Sequence, residues 1–261
     1  MIKTSSEFFR EARLINNIFY PFSYGLDLAK RYNAILAGGA VRSVFSRETP
    51  VDYDLFFMKE QDRIDFEKNF NSENINTLIT NSAFGFRIEN VFESDNANTY
   101  KIIDGAGNKK IFQTIKKIYG QPEEILENFD MRCCKGCYCF GSSLWVYDEL
   151  FFSDNMAKQV IVSDDLKYPF ATLFRMFKYQ KKGYYVPPSE IVKVCIASRA
   201  VKLDTIYDWK EQMLGIDTVI LTALFKQMEA DGTDMHAPFD AKFALEYINE
   251  FLFKRGLEDD I

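Results

Sequence analysis

The period of the apolar positions changes along the chain, and the change divides it near residue 160. Phe8, Ala12, Ile15 and Phe19 recur at helical spacing and predict a helix over residues 5–19, closed by Pro21, whose ring cannot continue it. A second helix is expected from Ser23 to Tyr32. From Asn33 to about Tyr147 the pattern shortens to strands with a few helices between them. A strand ends at Ala37, another covers residues 51–57, and a charged helix follows near Gln61–Phe70. Further strands are expected near Phe84–Ile88, Tyr100–Ile103 and Ile111–Ile115, with Gly105, Gly107 and Asn108 turning the last two into a hairpin. Beyond Asp148 helices take over: Phe170, Leu173, Phe174 and Phe177 stand at i, i+3, i+4 and i+7 as a predicted core-facing stripe. Gly183 closes that helix, Pro187-Pro188 opens the next, and three or four more follow, divided near Gly215 and by Asp231-Gly232-Thr233. The pattern predicts an α+β chain: N-terminal helices (1–32) packing on a head (33–160), then a helical body (161–261).

Within the head, residues 34–57 carry the chemistry. An apolar run ends at Gly38-Gly39, a helix is expected to start near Ala40, and the following strand opens with Asp52 and Asp54 at alternate positions. Strand side chains alternate, so the two carboxylates share a face while Tyr53 and Leu55 point to the other. Val51, Leu55, Phe56 and Phe57 make this a buried type of strand, where paired carboxylates need a counter-charge. Hard oxygen ligands with no nearby His or Cys suit Mg²⁺, one ion or two, which takes its remaining ligands from water and substrate phosphates. Backbone N–H groups at a helix start bind anions, and glycine lets a phosphate approach the main chain. The block reads as a site for metal-assisted attack on a nucleotide phosphate.

Composition narrows the partners. The 261 residues, 47% of them hydrophobic, suffice for a real core without disulfide staples. Twenty-five Phe and 14 Tyr are expected mostly in that core. A net charge of −6 with a pI near 5.1 argues against a broad electrostatic grip on nucleic acid. A local basic face remains on one helix, where Arg175, Lys178, Lys181 and Lys182 either form a solvated face or meet a triphosphate. Four of the five cysteines crowd into Cys133, Cys134, Cys137 and Cys139. On an extended strand Cys134 would face away from the other three, so reduced core thiols are expected rather than a zinc site. His236 lies in a polar loop and is expected at the surface. With no signal-type N-terminal core and no apolar run near the roughly 18 residues of a membrane span, a soluble, cytoplasmic protein without a membrane partner is expected.

Gly38-Gly39-Ala40-Val41-Arg42, a nine-residue gap and Asp52-Tyr53-Asp54-Leu55 resemble the signature of the DNA polymerase beta-type nucleotidyltransferase superfamily. The similarity is greatest to its CCA-adding enzyme and bacterial poly(A) polymerase (class II) branch, which reads Gly-Gly-x-Val-Arg-Asp before its Asp-x-Asp; this chain has Ser43 in place of that aspartate. Asn128-Phe129-Asp130-Met131-Arg132-Cys133 resembles the branch's Arg-Arg-Asp-Phe-Thr-Ile-Asn segment, and the resemblance assigns a ribose contact to Asp130. Arg175-Met176-Phe177-Lys178-Tyr179 resembles its Arg-x-x-Arg-Phe helix, which places Arg175 and Lys178 near phosphates or base. The base-selecting Glu-Asp-x-x-Arg template is replaced by Tyr168, Pro169 and Thr172. Where the superfamily often has a third carboxylate, the strand Lys110–Ile115 offers Gln113, leaving two aspartates alone, help from Asp104 or Asp130, or an impaired site as the alternatives.

The resemblance implies a nucleotidyltransferase-type mixed sheet with flanking helices, followed by an all-helical C-terminal domain. It implies transfer of a nucleoside monophosphate from a nucleoside triphosphate to an acceptor hydroxyl, with release of pyrophosphate. Asp52 and Asp54 would hold the metal, while Gly38, Gly39 and Arg42 would seat the triphosphate. The acceptor is open between an RNA 3′ end, a protein side chain and a small molecule. The alternative is a catalytically degenerate fold that binds nucleotide or protein.

Overall fold

Strand β2 (Ile35–Ala37) is apolar at every position because it is buried on both faces, between β3 (Asp52–Phe57) and β7 (Gly136–Cys139), both antiparallel to it. These are central strands of an eight-stranded mixed sheet. It is completed by β1 (Ile2–Ser5), β4 (Arg87–Glu93), β5 (Ala97–Ile103), β6 (Lys109–Tyr119) and β8 (Leu144–Asp148), in the order β1-β8-β7-β2-β3-β6-β5-β4. Only β3 and β6 run parallel among the described strands. The computed structural model describes residues 1–19, 23–50, 52–70, 87–94, 96–103, 106–213 and 218–255. It divides into two units, Met1–Ser163 and Asp164–Ile261.

In the first unit, alternation sends the two halves of each strand into different cores. Leu36, Tyr53, Leu55, Phe57, Tyr100, Phe112 and Tyr138 face helices α1 (Phe9–Asn16), α2 (Ser23–Arg31), α3 (Gly39–Ser46) and α4 (Glu60–Phe70), and pack with Ile15, Leu28, Val41 and Phe66. On the opposite face Ile35, Ala37, Phe56, Cys137, Cys139 and Val146 pack under Ile125 and Leu126 of the short helix α5 (Pro122–Glu127). The unit ends with α6 (Phe151–Met156). Aromatic residues fill the larger core: Phe19 stacks on Phe112 at 5.1 Å between ring centroids, and Phe112 stacks on Tyr53 at the same separation.

Several sequence expectations need correction here. Residues 2–5 form edge strand β1 beside β8, so the first helix starts only at Phe9, and its end tightens into a 3-10 turn at Asn17–Phe19. The strand expected near 84–88 runs instead over Arg87–Glu93, and residues 84–86, with Pro21, Val51, Asp104, Gly105 and Gly215, lie outside the described residues. Arg132–Cys134 is a 3-10 turn rather than strand, so only Cys137 and Cys139 follow strand alternation, both toward the α5 side.

The named elements of the second unit, among its described residues, are all helices: α7 (Pro169–Lys181), α8 (Pro188–Ser198), α9 (Ile206–Gln212), α10 (Thr218–Ala230) and α11 (Ala241–Arg255). Ile206, Trp209, Leu224, Phe225, Met228 and Phe251 form its core, against which Phe170 and Phe174 pack. Phe177, expected to continue that stripe, is 48% exposed. The interior of the last turns is taken instead by Met176 and Tyr179, the latter edge-on to Tyr184 from the following loop at 5.1 Å. Thr205 and Asp208 form a capping box that starts α9.

Candidate nucleotide site

The turn between β2 and α3 is built on two glycines with different tasks. Gly38 has φ +76° and ψ −135°, a conformation closed to residues with a side chain, and a Cβ there would lie 2.7 Å from Cε1 of Phe129. Its N–H donates to the Gly136 carbonyl at 3.1 Å, and its carbonyl accepts from Arg42 N–H at 3.1 Å, so the turn is tied to β7 on one side and to α3 on the other. Gly39 lacks a positive φ, and a Cβ on it would meet nothing within 4 Å. The first turn of α3, with its outward N–H groups, is therefore open on the Gly39 side.

The carboxylate strand is registered against this turn. Ala37, the last residue before the glycines, pairs with Asp54. Asp52 and Asp54 are both half-buried on one face of β3, about 6.7 Å apart along the strand by standard strand rise. Across the parallel ladder Asp52 pairs with Ile111 and Asp54 with Gln113, so Gln113 stands on the carboxylate face next to Asp54. Gln113 pairs on its other side with Thr99. Two carboxylates with an amide beside them, on a half-open face next to a helix start, are a donor set that fits a hard divalent ion whose other ligands come from water and phosphate. Among the described residues no group of three or more His, Cys, Asp or Glu side chains is arranged to hold a metal ion, so the aspartate pair has no third carboxylate there. Asp104, a candidate for that role, is outside the described residues.

Asp130 is brought to the same unit through the backbone. The Ser163 N–H donates to its carbonyl at 2.8 Å, Ser163 Oγ donates to the Phe129 carbonyl at 3.2 Å, and Met131 bridges to Val162. Arg132 then clamps the segment to α6, donating from Nε and Nη2 to the two Asp154 carboxylate oxygens at 2.5 and 2.9 Å. Phe129 itself touches the Gly38 turn and lies 5.8 Å from the ring of Phe56 on the carboxylate strand. One aromatic side chain thus joins glycine turn, carboxylate strand and Asp130. The sequence offered no separate signal for Phe129 beyond its place directly before Asp130.

Arg42 is 1% exposed, and its Nη2 donates to Ser43 Oγ at 2.9 Å and to Glu48 Oε2 at 2.6 Å. Ser43, which stands where the resembled branch has aspartate, is thus one acceptor for this guanidinium, and Glu48 supplies the carboxylate. Arg175 is half-buried and Lys178 exposed on α7, in the second unit, whereas Gly38, Gly39, Arg42, Asp52, Asp54 and Asp130 all belong to the first. The positions of the base-selecting template are structural: Tyr168 precedes α7, Pro169 begins it, and buried Thr172 Oγ1 donates to the Tyr168 carbonyl at 3.0 Å.

The four clustered cysteines are buried thiols outside any disulfide, and Cys195 is exposed. A hydrogen bond to Cys134 and then burial push the Cys133 thiol well above its ordinary value; Cys139 and burial do the same to Cys137. Such thiols are poor metal ligands and poor nucleophiles. His236 is exposed and stacks on Tyr207. No helix among the described residues is long and apolar enough to cross a membrane.

The profile of the Gabija anti-defense 2 (Gad2) family matches residues 6–158. A protein of Bacillus phage SPbetaL7 named Gabija anti-defense 2 is 24% identical over 230 residues; the match covers 88% of this chain but 53% of the relative, so the chain spans about half the length of that curated relative. Among solved structures, the Thermotoga maritima CCA-adding enzyme complexed with tRNA superposes with a TM-score of 0.50 at 10% identity, over 89% of this chain and 55% of that one. A CCA-adding enzyme in complex with ATP gives a TM-score of 0.52 at 11% identity, over 89% and 54% of the two chains. The fold is accordingly the one seen in CCA-adding enzymes, and the chain belongs to the Gabija anti-defense 2 family.

Proposed function

We propose that this protein is a metal-dependent nucleotidyltransferase that moves a nucleoside monophosphate from a nucleoside triphosphate to an acceptor hydroxyl, and that it does so in counter-defence, as the name of its phage relative suggests. The observation that carries the reading is the register of Ala37 against Asp54, which sets the open Gly39 turn directly beside the aspartate pair. Gly38 and Gly39 with the start of α3 receive the triphosphate. Asp52 and Asp54 hold Mg²⁺, one or two ions, which when bound neutralises phosphate charge and favours the ionised acceptor. Asp130 accepts a hydrogen bond from the ribose, and Phe129 keeps it at the turn. Arg42, buried and paired with Glu48, positions α3 behind the phosphates and contributes its charge from there. Arg175 and Lys178 serve phosphates or base. The acceptor oxygen bonds to the α-phosphorus as the bond to the bridging β-phosphate oxygen breaks, so pyrophosphate leaves opposite the attacking group.

CCA-adding neighbours have been solved with CTP, with ATP and with tRNA, which supports a nucleoside triphosphate donor and keeps RNA among the acceptors, beside a protein or small molecule of the defence. The test is transfer of label from each α-labelled nucleoside triphosphate, with Mg²⁺, into a lysate of cells carrying Gabija. A labelled product is expected from the parent, reduced about a hundredfold or more by the Asp52→Ala, Asp54→Ala double variant. Equal labelling by the double variant would end the proposal. One observation favours a second reading, a nucleotide- or protein-binding module without turnover: the neutral Gln113 beside Asp54. Binding of nucleotide without release of pyrophosphate would select it.

A further inference from the structure

The helix side of the sheet holds a polar cluster with no part in the nucleotide site described above. Arg63 on α4 is 7% exposed, and its Nη1 donates to both Glu67 carboxylate oxygens at 2.8 Å. This pair touches β6 at two points. Glu67 accepts from the hydroxyl of fully buried Thr114, and Arg63 Nε donates to the Tyr119 hydroxyl oxygen at 2.8 Å. Between those points the parallel ladder is broken: Leu55 pairs with Thr114 and Phe57 with Tyr119, so one residue of β3 stands opposite four of β6. The two contacts bracket this bulge, within which Ile115 and Ile118 turn to the core under α5. Beside Thr114 on β5, buried Asn98 finds no hydrogen-bond partner for its Oδ1 among the described residues. Such a cluster is costly to bury, and apolar packing would hold α4 on the sheet as well or better.

We propose that Arg63 and Glu67 set the register of β6 against β3, and thereby decide which β6 side chain stands beside Asp54. The functional half of the inference rests on the nucleotidyltransferase reading; the two residues act as positioning residues from the face away from the carboxylates. Apolar matching alone leaves the register open. Phe112 now lies against Tyr53, and Thr114 against Leu55. A slip of two residues keeps every side chain on its own face and sets Phe112 against Leu55, an equal apolar match. It would also bring Ile111 beside Asp54 in place of Gln113. The slipped strand, however, offers the Phe112 ring to the Glu67 carboxylate where Thr114 now donates a hydrogen bond, and a buried carboxylate facing a ring loses that partner. The ion pair therefore contributes a choice of register rather than net stability.

Hydrogen exchange and backbone contacts measured by nuclear magnetic resonance on the full chain read the register without any turnover. Thr114→Val is nearly isosteric, removes the hydroxyl that meets Glu67 and leaves the ion pair in place. The amides of residues 112–115 are expected to exchange at least about tenfold faster in it than in the parent, while those of α4 keep their rates. Arg63→Met with Glu67→Leu and Thr114→Val replaces the cluster by apolar groups. This chain is expected to stay folded, to show a second set of contacts between β3 and β6, and to bind a non-hydrolysable nucleoside triphosphate analogue with Mg²⁺ at least about tenfold more weakly. Parent exchange rates in Thr114→Val would overturn the inference, as would a single parental register or undiminished nucleotide affinity in the apolar chain; the nucleotidyltransferase reading would survive each. A parent that binds no nucleotide would overturn that reading and the functional half with it, while exchange and backbone contacts still decide the register. Thr114→Val carries the test even where the apolar chain folds poorly.

Discussion

Gly38→Ala and Gly39→Ala add the same methyl group to adjacent residues and should fail for different reasons. At Gly38 the backbone is at φ +76° and ψ −135°, a strained region for alanine that costs about 1–3 kcal/mol. The new Cβ would also lie 2.7 Å from Phe129 Cε1, and the ring, packed near Phe56, must move, which costs about 1–3 kcal/mol more. Together these make about 4 kcal/mol, a fall of roughly 10 °C in the melting midpoint of a unit of this size. Gly39 begins a helix, has no positive φ and has open space around its Cβ, so alanine there should change stability by less than about 1 kcal/mol. That methyl would instead project where the phosphates approach, and nucleotide affinity should fall by about tenfold or more. Thermal melts and nucleotide titrations of both variants, with Phe129→Ala added to Gly38→Ala, separate the contributions. The added change should relieve the crowding but not the dihedral strain, once set against Phe129→Ala alone. A Gly38→Ala chain as stable as the parent would refute the strain argument, and a Gly39→Ala chain that binds nucleotide normally would refute the phosphate cradle.

Glu48→Ala should destabilise the first unit by about 2 kcal/mol in urea melts, because it takes the carboxylate at 2.6 Å away from a fully buried guanidinium; Glu48→Gln should recover part of this, and no loss in either would show that the pair is idle. In the second unit, burial and the hydrogen bond donated to Asp231 at 2.6 Å push the Tyr247 hydroxyl up to about 12. Its contribution is complete below the ordinary tyrosine value near 10 and is lost as pH rises from there toward 12, so stability should decline across that window and Tyr247→Phe should remove this component of the decline; identical profiles for variant and parent would contradict it. Thiol titration with a chromogenic disulfide should find one fast-reacting cysteine in the native chain, Cys195, and five in denaturant; rapid reaction of Cys133 or Cys137 in the native protein would mean the core thiols are not sealed.

Much of this arrangement is legible in the chain because it is local. The two-residue alternation that puts Asp52 and Asp54 on one face, the glycine pair at a strand-to-helix turn and the helical stripe of Phe170 and Phe174 are properties of neighbouring residues, and the observed elements follow them. Edge strand β1 was illegible for a physical reason: four residues at the start of a chain carry little pattern, and β8 decides their conformation by pairing with them. The 3-10 turn at Arg132–Cys134 was hidden because buried cysteines suit strand and turn equally, and its backbone is set by hydrogen bonds to Ile161 and Met131. Phe177 followed the right period, but Met176 and Tyr179 with Tyr184 occupy the interior at its end of the helix.

The contacts of Phe129 explain why a segment with so little of the resembled motif still arrives at the site. Of that motif only Asp130 remains, and no pattern in the sequence says that the residue before it should be aromatic. The position of Asp130 does not depend on the missing arginines: Ser163 pairs with its backbone and Val162 with that of Met131, Arg132 anchors the segment to Asp154, and Phe129 presses on a glycine that cannot carry a side chain. The backbone geometry of the segment is therefore held without the motif's charges. Every one of these holding interactions lies within Met1–Ser163, the unit that also contains the family match at residues 6–158.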